Sequence, residues 1–184
     1  LSSSTDPSVG VFYPDYYGKN FVLNDLTHDG GLTAIRIEGP INSVDQRLNR
    51  LSKELSLLSQ EFSILDNEQS NIFWSRTKNL EVFKKLESNL SRIVLPISET
   101  LLVIQKLKSY DIKYFVDWGG SLIWAAFETL NAKILSDIKE IVKKHEGYIT
   151  LIKIEDDLKA SVDIFTIDPI KYKICLLYTS DAAD

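Results

Sequence analysis

The residues best placed for chemistry lie in YFVDWGGSLIW (Tyr114–Trp124). Two glycines, Gly119 and Gly120, let a backbone approach a flat ligand closely, and Trp118 and Trp124 can pack against one. The same residues also suit an ordinary hairpin with core aromatics. The acidic run Glu155–Asp157 follows a strand pattern and suits either a hard cation or a solvated loop or helix cap. His28 sits in THDGG, a turn composition, and His145 closes a helix-like run, so both histidines have local explanations and a histidine metal site is not expected. Arg92 reads as an outward-facing or salt-bridged side chain. The chain carries no P-loop, GxGxxG, GxSxG, HExxH or CxxC pattern.

The lone cysteine, Cys175, opens the closing segment CLLYTSDAAD. With one permitted codon choice this segment back-translates to TGT-CTC-TTA-TAC-ACA-TCT-GAC-GCT-GCC-GAC, which looks like a transposase-type sequencing adapter. Residues 175–184 are therefore expected to be non-native, which removes any thiol chemistry and brings the net charge of −5 to −3. The chain starts at Leu1 and contains no methionine, so an N-terminus internal to a longer protein is expected.

The elements that must hold these residues follow from periodicity. A chain of 184 residues, 44% hydrophobic, has enough apolar content for one core. Its negative balance argues against a nucleic-acid groove, and no apolar run approaches the roughly 20 residues of a membrane span. Residues 1–31 read as loop. Leu32–Gly39 alternates as a strand, and Ser43 is expected to cap a helix with Val44, Leu48, Leu51, Leu55 and Leu58 on one face. Glu61–Leu65 is a short strand candidate. Asp66 or Asn67 caps a helix containing Ile72, Phe73 and Trp74, and Ser91–Ile97 is a strand ended by Pro96. Ser98 is expected to cap a helix with Leu101, Ile104 and Leu107 inward. Two strand-like runs around Gly119-Gly120 suggest a hairpin. A helix with Ile134, Leu135, Ile138, Ile141 and Val142 on one side then ends with Gly147 as its C′ residue, before a strand over Tyr148–Ile154. The order predicts an α+β domain of ferredoxin-like split βαβ units, with a mainly antiparallel sheet and helices on one face. By composition and spacing alone, it is an α+β domain without a catalytic set of its own.

The series DGGLTAIRIEG, NIFWSRTKN, SRIVLPIS and YFVDWGGSLIW, after a lead-in SSSTDPSVGVFYP, resembles the E-type FAD-binding subunit of glycolate oxidase. That group belongs to the FAD-linked oxidases of the vanillyl-alcohol oxidase type. The resemblance covers roughly residues 1–168. It implies that 1–31 lead in from a missing N-terminal FAD domain and that 32–174 form a truncated cap domain over the isoalloxazine. FAD is the implied cofactor, held mainly by the missing domain, with Trp118, Gly119 and Gly120 on the flavin side or at an interface. The implied partners are a catalytic flavin subunit and an iron–sulfur subunit, in the cytoplasm or peripheral to the inner membrane. Where catalytic relatives carry a Pro-Arg pair that grips the substrate carboxylate, this chain has Pro96-Ile97, and Arg92 is the residue that can substitute for that clamp. Their metal-binding histidine segment corresponds to VDWGGSLIW, without histidine. No catalytic or metal-binding residue is therefore assigned. The alternatives are a non-enzymatic ferredoxin-like interaction domain and a self-sufficient hydroxy-acid dehydrogenase.

Overall fold

The computed structural model describes residues 5–17, 30–58, 62–84 and 89–156. Six strands form one antiparallel sheet: β1 (Val9–Tyr13), β2 (Leu32–Arg36), β3 (Asn89–Val94), β4 (Lys113–Asp117), β5 (Leu122–Phe127) and β6 (Tyr148–Lys153), in the order β2-β1-β4-β5-β3-β6. The α-helices are α1 (Ile41–Ser56), α2 (Asn67–Lys78), α3 (Thr100–Ser109) and α4 (Ala132–Lys144). From β3 to β6 the chain runs βαββαβ. Strand β5 lies between β3 and β4, and β3 lies between β5 and β6. These are two split βαβ units, as the alternation of sequence patterns predicts.

Because side chains alternate across a strand, the sheet has two faces with different cores. On one, Ile93, Val116 and Ile123 pack with Leu107 of α3 and Ile138 and Val142 of α4 in a single buried cluster. Each such side chain contributes on the order of 1.5–3 kcal/mol on burial. On the other face, Tyr13 stacks on Phe115 with ring centroids 4.8 Å apart, and Phe83 stacks on Phe115 at 5.6 Å. Phe73 of α2 meets Tyr13 edge-on at 6.3 Å. The Tyr13 hydroxyl donates to Thr77 Oγ1 at 2.9 Å, one turn along α2 from Phe73. Thus α3 and α4 share one face as expected, and α2 adds cover to part of the opposite face.

Several local expectations are corrected. The lead-in 1–31 is not all loop: VGVFY forms β1, which pairs with β2 from Val9↔Arg36 to Tyr13↔Leu32 and joins β4 at Phe12↔Val116. Gly10 within it and Pro7 and Pro14 beside it hide the strand in the sequence, and pairing on both sides makes it. Residues 62–65 are irregular rather than a strand, and Glu61 lies outside the described residues. Helix α1 starts at Ile41 behind Pro40, without a Ser43 cap. Ser98 does not cap α3; its hydroxyl bonds Glu99, and Leu101 is 70% exposed while Val103 takes the inward place. By contrast Asp66 caps α2 in a reciprocal box with Gln69. Asn131 caps α4 through Ile134 N–H at 2.9 Å.

The end of α4 is a Schellman motif shifted by one residue from expectation. Gly147 N–H donates to Val142 O at 2.8 Å and Glu146 N–H to Lys143 O at 3.2 Å, so Glu146 is C′ and holds the left-handed conformation (φ 57°). Gly147 is needed for another reason: a Cβ there would stand 2.8 Å from Leu95 Cβ and 2.9 Å from the Val94 carbonyl oxygen. Gly147→Ala is expected to lower stability by roughly 1–3 kcal/mol in urea denaturation. Glu146→Gly is expected to raise it by about 0.5–1 kcal/mol by removing left-handed strain. Equal midpoints for the two variants would contradict this assignment.

Candidate functional site

Among the described residues the second face of the sheet is covered only in part, and an open cleft of about 400 Å³ lies where that cover ends. Val9 of β1, Arg92 of β3, and Leu122 and Trp124 of β5 line it from the sheet. Trp74, Thr77 and Lys78 of α2, with Leu80, form the opposite wall. Asp117 and Trp118 contribute from the end of β4 and its turn. Register brings the sheet residues together: Arg92 pairs with Trp124, which pairs with Phe115.

The β4–β5 connection is a 3-10 turn, Trp118–Gly120, with three successive positive φ angles of 51°, 62° and 118°. Gly119 and Gly120 adopt such values without strain. Gly120 is also confined, since a Cβ would meet Ile97 Cγ1 at 3.0 Å, and its carbonyl accepts from the Thr100 hydroxyl. Trp118 is different. A bulky residue with left-handed backbone costs roughly 1–2 kcal/mol, and such strain gathers at functional sites. Its indole is half exposed and lies 4.7 Å, centroid to Cζ, from the Arg92 guanidinium.

Arg92 makes no ion pair or hydrogen bond among the described residues, and its Nε is buried without a partner. This corrects the expectation of an outward or salt-bridged arginine. Period-2 alternation turns Arg92 away from Ile93 and onto the partly covered face, where it shares the cleft with Asp117 without forming an ion pair. A buried donor without a partner is destabilising by about 1–3 kcal/mol, while the two Nη groups are not sealed and make no hydrogen bond among the described residues. Asp117 instead accepts from Trp118 N–H at 2.7 Å. Burial nevertheless pushes its carboxyl above the usual carboxylate range, against that hydrogen bond.

Of the three residues singled out in the sequence, Trp118 lines the cleft, while Gly119 and Gly120 shape the turn that presents it. Sequence reasoning missed Asp117, Trp74 and Lys78 and weighed Arg92 only as a stand-in for a carboxylate clamp; strand register and the seat of α2 bring them together. His145 Nδ1 lies 2.6 Å from Glu99 Oε2 and helps hold the Glu99 carboxyl below its usual range, a link between α4 and the start of α3. Glu155 and Asp156 are exposed, Glu155 N–H donates to Asn89 Oδ1 at 2.8 Å, and Asp157 lies outside the described residues. His28 and Cys175 also lie outside them.

Among the described residues no helix is long and apolar enough to cross a membrane. None of their His, Cys, Asp and Glu side chains gather in threes that could hold a metal ion. No protein-family model matches the chain, nor does any curated protein or solved structure.

Asp117 sets a pH dependence. Its folded pKa is raised, so the stability it contributes is full below the unfolded value of about 3.9 and is lost as pH rises through the folded value. Asp117→Asn keeps an acceptor for Trp118 N–H and removes the charge. Urea denaturation from pH 3 to pH 7 should show the wild type losing stability relative to this variant as pH rises. A constant difference between the two proteins would contradict the burial argument.

Proposed function

We propose that this chain is the cap portion of an FAD-binding subunit of a 2-hydroxy-acid oxidoreductase of the glycolate oxidase E type. On this reading the cleft beside Arg92 faces the isoalloxazine and the substrate. The observation that carries the proposal is the partnerless Arg92 guanidinium, held against Trp118 at the edge of an aromatic-walled cleft. A carboxylate needs a cation to fix it, and a ring system needs flat apolar walls.

The residues fit one end of the cofactor and not all of it. A cleft of about 400 Å³ suits a ring edge or a small acid, and none of its lining residues belongs to a Gly-rich phosphate loop. The pyrophosphate and adenine would therefore be held by a separate FAD domain. Bound flavin supplies the hydride acceptor. Arg92 would bind and orient the acid, Trp118 and Trp124 would exclude water from one side, and Asp117 is the one acid in the cleft lining. A catalytic flavin subunit and an iron–sulfur subunit complete the proposed assembly, in the cytoplasm or against the inner membrane. The second reading, a protein-interaction domain, draws support from Leu57 and Leu58, both more than four-fifths exposed after α1.

The coding sequence upstream of Leu1 tests the first reading. It should encode a Gly-rich FAD-binding domain in frame, and a start codon without such a domain would overturn the proposal. The 184-residue chain itself is expected to purify colourless. Stoichiometric FAD carried through purification would contradict the division of labour argued above.

A further inference from the structure

We infer that the cleft between α2 and the sheet is a binding site for a planar aromatic carboxylate, held by Arg92 and flanked by the indoles of Trp118 and Trp124. The inference goes beyond the flavin reading, because it needs only residues of this chain. Three observations carry it.

The first is the state of Arg92. Its guanidinium carbon lies over the Trp118 ring at 4.7 Å, its Nε is buried and unpartnered, and its two Nη groups are not sealed and make no hydrogen bond among the described residues. A carboxylate recognises such a pair of guanidinium N–H groups with two parallel hydrogen bonds. The second is the balance of charge. Two cations, Arg92 and Lys78, line the cleft against one acid, Asp117, one of whose oxygens already serves Trp118 N–H. A monoanion completes this set. A phosphate would ask for more donors than the cleft supplies, since no helix N-terminus or run of backbone N–H groups opens into it. The third is shape. Trp74, Trp118 and Trp124 supply three of the lining side chains, so a flat ring finds stacking or edge contacts that an aliphatic acid cannot make. The left-handed backbone at Trp118 gives a reason for the strain, since it presents that indole to Arg92.

The test is a titration of the 184-residue chain with benzoate, read by tryptophan fluorescence and by isothermal calorimetry. Benzyl alcohol serves as the neutral ring and acetate as the ringless anion. Benzoate is expected to bind saturably, with both controls at least about tenfold weaker. Arg92→Gln should weaken benzoate by roughly 10- to 100-fold, as loss of a charge-assisted pair does. Trp118→Gly, which suits the positive φ, should weaken it by roughly tenfold while remaining folded. Equal binding of benzoate and benzyl alcohol would overturn the anion assignment, and equal binding of benzoate and acetate the aromatic one. If Arg92→Gln does not fold, the wild-type comparison of the three ligands decides alone. Absence of benzoate binding overturns this inference and leaves the flavin reading intact. A missing upstream FAD domain does the reverse.

Discussion

A sheet buried on both faces needs two covers, and the described residues supply one complete cover and one partial one. The unequal cover is the constraint on which the rest of the structure depends. Helices α3 and α4 seal the first face around residues such as Ile93, Ile123 and Ile138, none of which has any accessible surface. On the second face, α2 and the Tyr13–Phe73–Phe83–Phe115 cluster cover the β1–β4 side and stop there. Beyond them, alternation still directs Arg92 and Trp124 outward from the sheet. A polar side chain at that boundary keeps part of its surface in the cleft, and the cleft is what remains between cover and sheet.

The β4–β5 turn then decides what the boundary presents. A two-residue hairpin would hold the strands together without placing an indole over Arg92. Instead Asp117 fixes the first N–H of the turn, and Thr100 fixes Gly120 from the other side. Between these anchors Trp118 is held left-handed. Stability is lost locally in three ways: a strained tryptophan, a buried acid with an elevated pKa, and a guanidinium N–H without an acceptor. All three lie within one cleft. The well-packed α3–α4 face makes such local costs tolerable, since each is small against a core of that size.

Much of the βαββαβ unit was legible because its signals are local. Alternation in SRIVLPI and YITLIKI, the 3.6-residue stripe of α4, and the glycine pair between two strand-like runs each specify an element without tertiary help. Strand β1 was not legible, because VGVFY between Ser8 and Pro14 resembles loop composition and becomes a strand only by pairing with β2 and β4. The Schellman position at Glu146 was hidden for a similar reason: a neighbouring glycine drew the assignment, while contact with Leu95 is what requires that glycine. The candidate site was half legible. Trp118 stood out by type, but Arg92 looked like any solvated arginine until register set it opposite Trp124 and the turn laid an indole on it.

The central claim is that Arg92 and the two indoles form one receptor for a flat anion. Nitrogen-15 NMR of the arginine Nε–Hε and tryptophan indole N–H signals during addition of benzoate tests it most directly. The account predicts that the Arg92 Nε–Hε signal shifts as the carboxylate binds the neighbouring Nη groups, with the Trp118 and Trp124 indole signals moving along the same saturation curve. It is contradicted if benzoate saturates the protein while the Arg92 signal stays in place, or if the shifted signals belong to other arginines.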